Sequence, residues 1–180
     1  MAKRTLSAEL SVKGIEQLKK DLLNYKNELN TKIDWFVLKL AESGIPTVEQ
    51  EMANASYTYD EKGIQSGSDT THKTYVKLDR LIGMSKATLI LEGKEILFIE
   101  FGAGVHYNGA VGSSQHPKGP ENGFLIGTYG MGYGSQQVWG YYAESGELVL
   151  TRGTKATMPM YKASQEMIDK VVKIAKEAFA

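Results

Sequence analysis

A long amphipathic helix near the amino end is the feature that most constrains this fold. Its apolar positions recur at steps of three and four residues: Ile15, Leu18, Leu22, Tyr25, Leu29, Ile33, Phe36 and Leu40. Charged side chains on the other faces are typical of a helix with one apolar stripe. The pattern predicts about seven turns, ending near Ser43-Gly44. Such a helix is roughly 45 Å long. Because this exceeds the width of a small sheet, part of it should project or pack against another chain.

Shorter patterns surround this helix. Residues 5–12 alternate apolar and polar side chains, which predicts a half-buried strand. Pro46 suits the first turn of a second helix that runs to about Ala55. Thr157-Met158-Pro159 opens a helix at the carboxyl end, with Pro159 at its first position.

The middle of the chain reads as β-structure. After a polar stretch, three β-type segments predict an antiparallel meander over residues 72–82, 87–91 and 96–101. Residues 137–142 and 147–151 predict a hairpin about Ser145-Gly146. Because the strands are grouped and helices flank them, we predict an α+β fold. It has an antiparallel β-sheet packed with a long N-terminal helix and a C-terminal helix.

The chain length suits one domain. Its 180 residues are 42% hydrophobic, enough to form a core. We predict a single α+β domain over 1–180, with an extended N-terminal segment (1–14) and a long Gly/Tyr-rich loop (103–136).

Glycines are concentrated beside the predicted hairpin. Residues 102–140 hold 11 of the 19 glycines, interleaved with aromatic residues that include Tyr107, Tyr129, Tyr133 and Trp139. Bases could stack on such aromatics, but no Lys or Arg occurs from Gly119 to Gln137, and single-strand binding needs cations. We therefore interpret the loop as a flexible arm that orders against a neighbouring subunit, with the four aromatics as oligomer or partner contacts.

Charge and cysteine content exclude several classes. Lys and Arg number 21, as do Asp and Glu, which argues against a non-specific nucleic-acid binder and a polybasic membrane protein. With no cysteine, disulfides and thiolate nucleophiles are excluded. No signal-peptide run and no apolar stretch of ~18 residues is present, so we expect no membrane partner and synthesis in a cytoplasm.

Candidate catalytic groups are sparse. Glu100, His106 and His116 would have to converge across a Gly-rich loop to bind a metal, and the alternative is that both histidines are loop residues. Gly-x-Ser-x-Gly is absent. Gly102-Ala103-Gly104 does not extend to a dinucleotide-binding motif, because position 107 is Tyr. We predict no catalytic residue, no metal, no cofactor and no enzymatic activity.

Glu100 is the one charge within an apolar run. If it points inward it needs a partner, and Lys77, Arg80 or Arg152 would supply the opposite charge. We predict that Glu100 is a structural buried charge that fixes the entry to the loop.

Three segments together resemble a phage protein family. Ile96-Leu97-Phe98-Ile99-Glu100-Phe101-Gly102-Ala103-Gly104 resembles the Glu-Phe-Gly strand end of the gene-ten-like tail-component proteins of long-tailed bacteriophages, also called head–tail joining or tail-completion proteins. Met158-Pro159-Met160-Tyr161-Lys162-Ala163 resembles the closing segment of that family. Gly14-Ile15-Glu16-Gln17-Leu18 is similar to its usual opening of the first helix.

The resemblance implies a structural subunit of the virion. It would form a homo-oligomer, a hexameric ring at the neck, and would contact a tail terminator, the tail tube, or head-closure or connector proteins. It would assemble in the bacterial host cytoplasm and bind no specific nucleic-acid sequence. The chain lacks the Ala-Pro-x-x-Thr-Gly-x-Leu-Arg-like segment of many members. A tail terminator or another minor capsid or tail protein is therefore an alternative, as is a virion-associated metal-dependent hydrolase.

Overall fold

A computed structural model of the chain describes residues 6–81, 83–108, 115–124 and 136–180. Helices and strands together form an α+β fold, as predicted. The helices are α1 (Val12–Glu42), α2 (Ile45–Asn54), α3 (Ile96–Phe101), α4 (Val105–Asn108) and α5 (Pro159–Phe179), with a 3₁₀ helix at Pro120–Asn122. The strands are β1 (Thr58–Tyr59), β2 (Gln65–Ser66), β3 (His72–Leu81), β4 (Met84–Gly93), β5 (Trp139–Tyr142) and β6 (Leu148–Thr151).

The three predicted helices are confirmed. Helix α1 begins after Ser11, whose Oγ accepts a hydrogen bond from the Gly14 amide at 3.1 Å. Such a cap satisfies one of the amides that a helix start leaves unpaired. Pro46 lies in the first turn of α2, and Pro159 is the first residue of α5.

Two separate sheets are present among the described residues. Strands β3 and β4 form a long antiparallel hairpin, in register from His72 opposite Gly93 to Leu81 opposite Met84. The second sheet has the order β1-β2-β6-β5. In it, β5 and β6 form the predicted hairpin, and β2 runs parallel to β6.

Two strand predictions are wrong. Residues 6–11 contain no strand, and helix α1 already begins at Val12. Leu10 is fully exposed, so the alternation there does not reflect burial. Residues 96–101 form α3 instead of the third strand of a meander. A six-residue apolar run fits a buried helical turn as well as a buried strand, and periodicity cannot separate the two.

The core lies where α2 and α5 pack on the β3–β4 hairpin and α3. Its buried members are Val48, Met52, Ala55, Leu89, Ile99 and Ala163. The carboxyl-terminal part of α1 packs beside this core. There Phe36 lies 6.0 Å from Phe179 of α5, between ring centroids, and Asp34 binds Arg80 and Ser85 of the hairpin.

The amino-terminal part of α1 extends away from this body. Between Val12 and Lys32 no residue is buried, and only four are half-buried. The 31-residue helix is about 46 Å long at ~1.5 Å per residue. The expectation that part of it projects is therefore confirmed, and we call Val12–Lys32 the projecting half of α1.

Candidate functional site

Glu100 lies at the centre of a buried junction between three parts of the chain. Its side chain leaves the end of α3 and reaches the start of α5. There Oε2 accepts a hydrogen bond from the Met160 amide at 2.8 Å, and Oε1 accepts one from the Tyr161 amide at 2.9 Å. Oε1 also lies 3.0 Å from His116 Nε2. We call these residues, with Phe101 and Phe124, the Glu100 cluster.

The carboxylate of Glu100 caps α5 from a distant position in the sequence. Met158, the residue before α5, makes no side-chain cap, and Pro159 has no amide hydrogen. The next two amides of the helix therefore donate to Glu100. A carboxylate at this end also interacts favourably with the helix dipole. This arrangement replaces the local serine, threonine or aspartate that usually caps a helix.

His116 is held in one tautomer. Its Nδ1 accepts a hydrogen bond from the Lys118 amide at 3.0 Å. Because an amide can only donate, Nδ1 carries no proton in this arrangement. The ring proton then lies on Nε2 and is donated to Glu100. The two residues, His116 and Glu100, are only 4% and 6% exposed.

Aromatic rings enclose the histidine. Phe101 and Phe124 stack at 3.8 Å between centroids with planes 8° apart. The His116 ring lies 4.5 Å from Phe101 and meets Tyr161 edge to face at 5.2 Å. These contacts attach residues 115–124 to α3 and α5 and shield the carboxylate–imidazole bond from water.

Two glycines bring the end of α3 against the strand that precedes α5. Ala103 and Thr154 exchange amide–carbonyl hydrogen bonds at 2.8 and 2.9 Å. A Cβ on Gly104 would lie 2.6 Å from the Arg152 carbonyl oxygen, and one on Gly153 would lie 2.1 Å from that of Ala103. Only glycine fits such close backbone approaches. The Gly102-Ala103-Gly104 motif therefore serves chain packing here.

The cluster has the composition of an acid–base pair but is built as a structural clamp. General acid–base catalysis needs a group within hydrogen-bond reach of a substrate. Here both ring nitrogens of His116 and both oxygens of Glu100 are bonded within the chain, and both residues are buried. Glu100 is buried, at 6% exposure, and its role as a structural charge that fixes the entry to the loop stays a prediction.

The partners predicted for Glu100 are wrong. Lys77 pairs with Asp79 at 3.2 Å, Arg80 with Asp34 at 2.6 Å and Arg152 with Asp60 at 2.8 Å. Those three cations lie on or beside the strands, whereas Glu100 belongs to a helix that faces α5. The same error, a strand assigned in place of α3, produced the wrong set of partners.

His106 does not join the Glu100–His116 pair. It lies on α4, exposed, with its ring edge-on to Tyr107 at 4.9 Å. Among the described residues there is no group of three or more side chains that could hold a metal ion. The fold therefore brings Glu100 and His116 together but leaves His106 apart. The three residues do not converge as a metal site would require.

The four predicted contact residues lie in different settings. Tyr107 is half-buried on α4, and Trp139 on β5 is exposed beside Tyr141, 6.0 Å away. Tyr129 and Tyr133 lie outside the described residues, as do residues 109–114 and 125–135 of the predicted loop.

Larger apolar surfaces were missed by the sequence prediction. On the β5–β6 hairpin, Tyr142, Leu148 and Leu150 share one face, because Leu150 lies opposite Gly140 and Leu148 opposite Tyr142. All three are exposed, Tyr142 at 76%. We call them the hairpin face. On α5, Ile168 and Val172 are also exposed. Within residues 148–151 the side chains alternate between two faces of a strand, which predicts the hairpin face. The alternation does not show which of the two faces the rest of the chain covers.

Comparisons with known proteins give no match, whether to models of protein families, to curated proteins or to solved structures. In the described part of the chain no helix is both long and apolar enough to span a bilayer.

Proposed function

We propose that this chain is a structural subunit of the head–tail junction of a long-tailed bacteriophage virion. In this role it is a tail-completion or neck protein that links the capsid connector to the tail. Copies of the chain form a ring, hexameric by the resemblance, and contact a tail terminator, the tail tube or head-closure proteins. No chemical step is part of this function.

The observation that carries the proposal is apolar surface exposed on separate elements of a folded body. The projecting half of α1 exposes Val12, Ile15, Leu22 and Leu23, the hairpin face exposes three large side chains, and α5 exposes two more. Contiguous exposed apolar surface marks sites of protein interaction. Apolar patches on separate elements of one subunit suit a ring, in which each copy meets neighbours through unlike patches.

The segments that carry the family resemblance support it further. Residues 96–104 and 158–163 are far apart in sequence, yet Glu100 of the first binds the Met160 and Tyr161 amides of the second. The short motifs are thus two sides of one structural junction. Two short motifs whose residues contact each other in the fold are more specific evidence for a family than two motifs that have no contact.

A tail terminator or another minor capsid or tail protein would share these surfaces and differ only in its position. The experiment is to delete the gene from the phage that encodes the chain and to image the particles by electron microscopy. We expect filled heads and separate tails that do not join. We also expect antibody against the chain to label the neck of intact virions. Normal particles after deletion, or virions without the chain, would contradict the proposal.

A matched pair of variants tests the hairpin face within the same experiment. Complementation with Leu148→Ser/Leu150→Ser should leave heads and tails unjoined, because it removes exposed apolar contacts. Complementation with Glu147→Ser, at an exposed position beside the same strand, should restore joined particles. Equal rescue by both would remove the hairpin face from the proposal.

A further inference from the structure

Strand β5 is an edge strand whose outer side is open among the described residues. The second sheet has the order β1-β2-β6-β5, so β5 has a neighbour on one side only. The Ala143 amide donates to the Glu147 carbonyl at 2.9 Å, and in an antiparallel pair such bonds recur at every second residue. Gly140 and Tyr142 therefore direct their amides and carbonyls away from β6. An edge of this kind is a template for another strand.

The hairpin face continues to this open edge. A Cβ on Gly140 would lie 3.1 Å from Leu148 Cδ1 and 3.4 Å from Leu150 Cδ2. Because glycine has no side chain, both leucines of β6 reach over it toward the outer side of β5. The other edge strand, β1, has only two residues, and very short edges resist pairing. A strand added beside β5 would thus meet both free backbone groups and exposed apolar side chains.

Residues 6–11 have a strand sequence but form no strand in the single chain. The apolar side chains of Leu6, Ala8 and Leu10 alternate with polar ones, as in a strand with one covered face. Residues 6–9 nevertheless belong to no helix or strand. Ala8 and Leu10 are exposed, and Leu6 is half-buried. We call residues 6–11 the leading segment, and its pattern fits a strand that pairs outside its own chain.

The leading segment and the second sheet are attached near different ends of α5. Helix α1 runs antiparallel to α5, since a Cβ on Gly44 would lie 3.3 Å from Ala163 Cβ and Lys32 Nζ lies 3.3 Å from the Ala180 carbonyl oxygen. The leading segment precedes Val12, roughly 30 Å beyond Lys32 at ~1.5 Å per residue. Strand β6 instead leads into the link that precedes the start of α5. This separation favours pairing between two copies over pairing within one.

We infer that the leading segment of one copy adds to β5 of a second copy as an antiparallel strand of its sheet. Leu6 then lies opposite Tyr142 and Ala8 opposite Gly140, so that the apolar side chains of the segment join the hairpin face. Each copy donates one strand and accepts another, and such head-to-tail contacts close into a ring. The inference rests on the proposed function only for the ring, because the contact itself is tested in the purified chain.

Charge favours the antiparallel direction. In this register Arg4 comes beside Glu144, whose side chain is almost wholly exposed and lies 3.8 Å from Lys94. Opposite charges across neighbouring strands attract. A parallel segment at the same place would instead bring Glu9 beside Glu144, and like charges there repel. Because exposed charge pairs contribute little energy, they set the direction of the strand more than the strength of the contact.

Sedimentation equilibrium of the full chain tests the contact with a matched pair of proline variants. We expect association that increases with protein concentration. Ala8→Pro should raise the dissociation constant roughly tenfold, because proline has no amide to donate to β5. Ser7→Pro is the control and should have a much smaller effect, because in an antiparallel pair its amide points away from β5. A chain that stays monomeric, or equal effects of the two variants, would overturn the inference. A loss confined to Ser7→Pro would refute the antiparallel direction.

Cross-linking shows whether the strand comes from a second copy. Because the chain has no cysteine, a Leu6→Cys chain mixed with a Tyr142→Cys chain should oxidise to a disulfide-linked pair. Ser7→Cys mixed with Tyr142→Cys is the control and should cross-link far less, since its side chain lies on the other face of the added strand. Equal cross-linking in the two mixtures would contradict the register. A disulfide within one chain that carries both Leu6→Cys and Tyr142→Cys, formed at high dilution, would show that the segment pairs with its own sheet.

Amide hydrogen exchange distinguishes the other possible occupant of the edge, which is another part of the same chain. We expect the Gly140 and Tyr142 amides to exchange roughly tenfold more slowly at high protein concentration in the wild type, but not in Ala8→Pro. Equal protection of both amides at every concentration would mean that the edge is already covered within the monomer, and it would overturn the inference. Such a result would leave the gene-deletion experiment, and with it the proposed place in the virion, unaffected.

Discussion

The two halves of α1 share one amphipathic pattern but have different surroundings. From Ile33 to Glu42 the helix is tied to the body: Asp34 binds Arg80 and Ser85, and Phe36 meets Phe179. From Val12 to Lys32 no residue is buried. An apolar stripe therefore identifies a helix face but not what covers it. A helix face that packs on the core and a helix face that is left exposed look alike until the neighbouring elements are placed.

The Glu100 cluster contrasts most strongly with the projecting half of α1. In the cluster, both oxygens of Glu100 and both ring nitrogens of His116 are hydrogen-bonded within the chain. Replacing Glu100 by Ala should lower the free energy of unfolding by about 3 kcal/mol, since it uncaps α5 and leaves His116 without its acceptor. Urea denaturation followed by circular dichroism measures this. Glu100→Gln keeps the shape but loses acceptor capacity, and it should fall between the wild type and Glu100→Ala.

The control for that prediction is Glu121→Ala, an exposed glutamate in the 3₁₀ helix close to the cluster. It should change the free energy of unfolding by less than about 0.5 kcal/mol. If Glu100→Gln and Glu100→Ala both left stability and assembly unchanged, Glu100 would not be the structural clamp described above.

A smaller effect separates the two halves of α1 directly. Phe36→Ala should destabilise the chain by about 2 kcal/mol, because it removes a half-buried ring from its contact with Phe179. Leu22→Ala should change stability of the monomer by less than about 0.5 kcal/mol. Urea denaturation at low protein concentration, followed by circular dichroism, makes the comparison. Equal losses would mean that the projecting half is covered within a single chain.

Much of the fold was predictable because local signals were strong. The stripe from Ile15 to Leu40, Pro159 before its own apolar stripe and the turn at Ser145-Gly146 each correspond to an observed element. The prediction of a strand over residues 96–101 was wrong because six residues are too few to reveal a period. The prediction of a strand over residues 5–12 was wrong because an alternating pattern forms a strand only when a partner strand pairs with it.

The site was less predictable than the fold. Burial of Glu100 followed from its apolar neighbours, but its partners are 16 residues away at His116 and 60 away at Met160. Nothing local marks such pairs. The missing cap residue before α5 was the only signal in the sequence, since Met158 at that position leaves amides that must be satisfied from elsewhere.

The smallest predicted effect concerns the acid sensitivity of the covered half. A hydrogen bond from Ser85, with the Arg80 guanidinium, holds the pKa of Asp34 below its ordinary value of 3.8. A carboxyl whose pKa is lowered by folding stabilises the native state fully above its unfolded pKa. That contribution is lost as the pH falls through the lowered value. Acidification below about pH 4 should therefore loosen the contact between α1 and the β3–β4 hairpin.

Asp34→Asn isolates this contribution, because asparagine does not titrate in this range. We expect the urea midpoint of the wild type to fall more between about pH 6 and pH 3 than that of Asp34→Asn. Ser85→Ala removes the largest cause of the lowered pKa and should give an intermediate fall. A fall in Asp34→Asn as large as in the wild type would show that other carboxyls carry the acid response. The covered half of α1 would then be held by its apolar contacts alone, and the two halves would differ in packing but not in electrostatics.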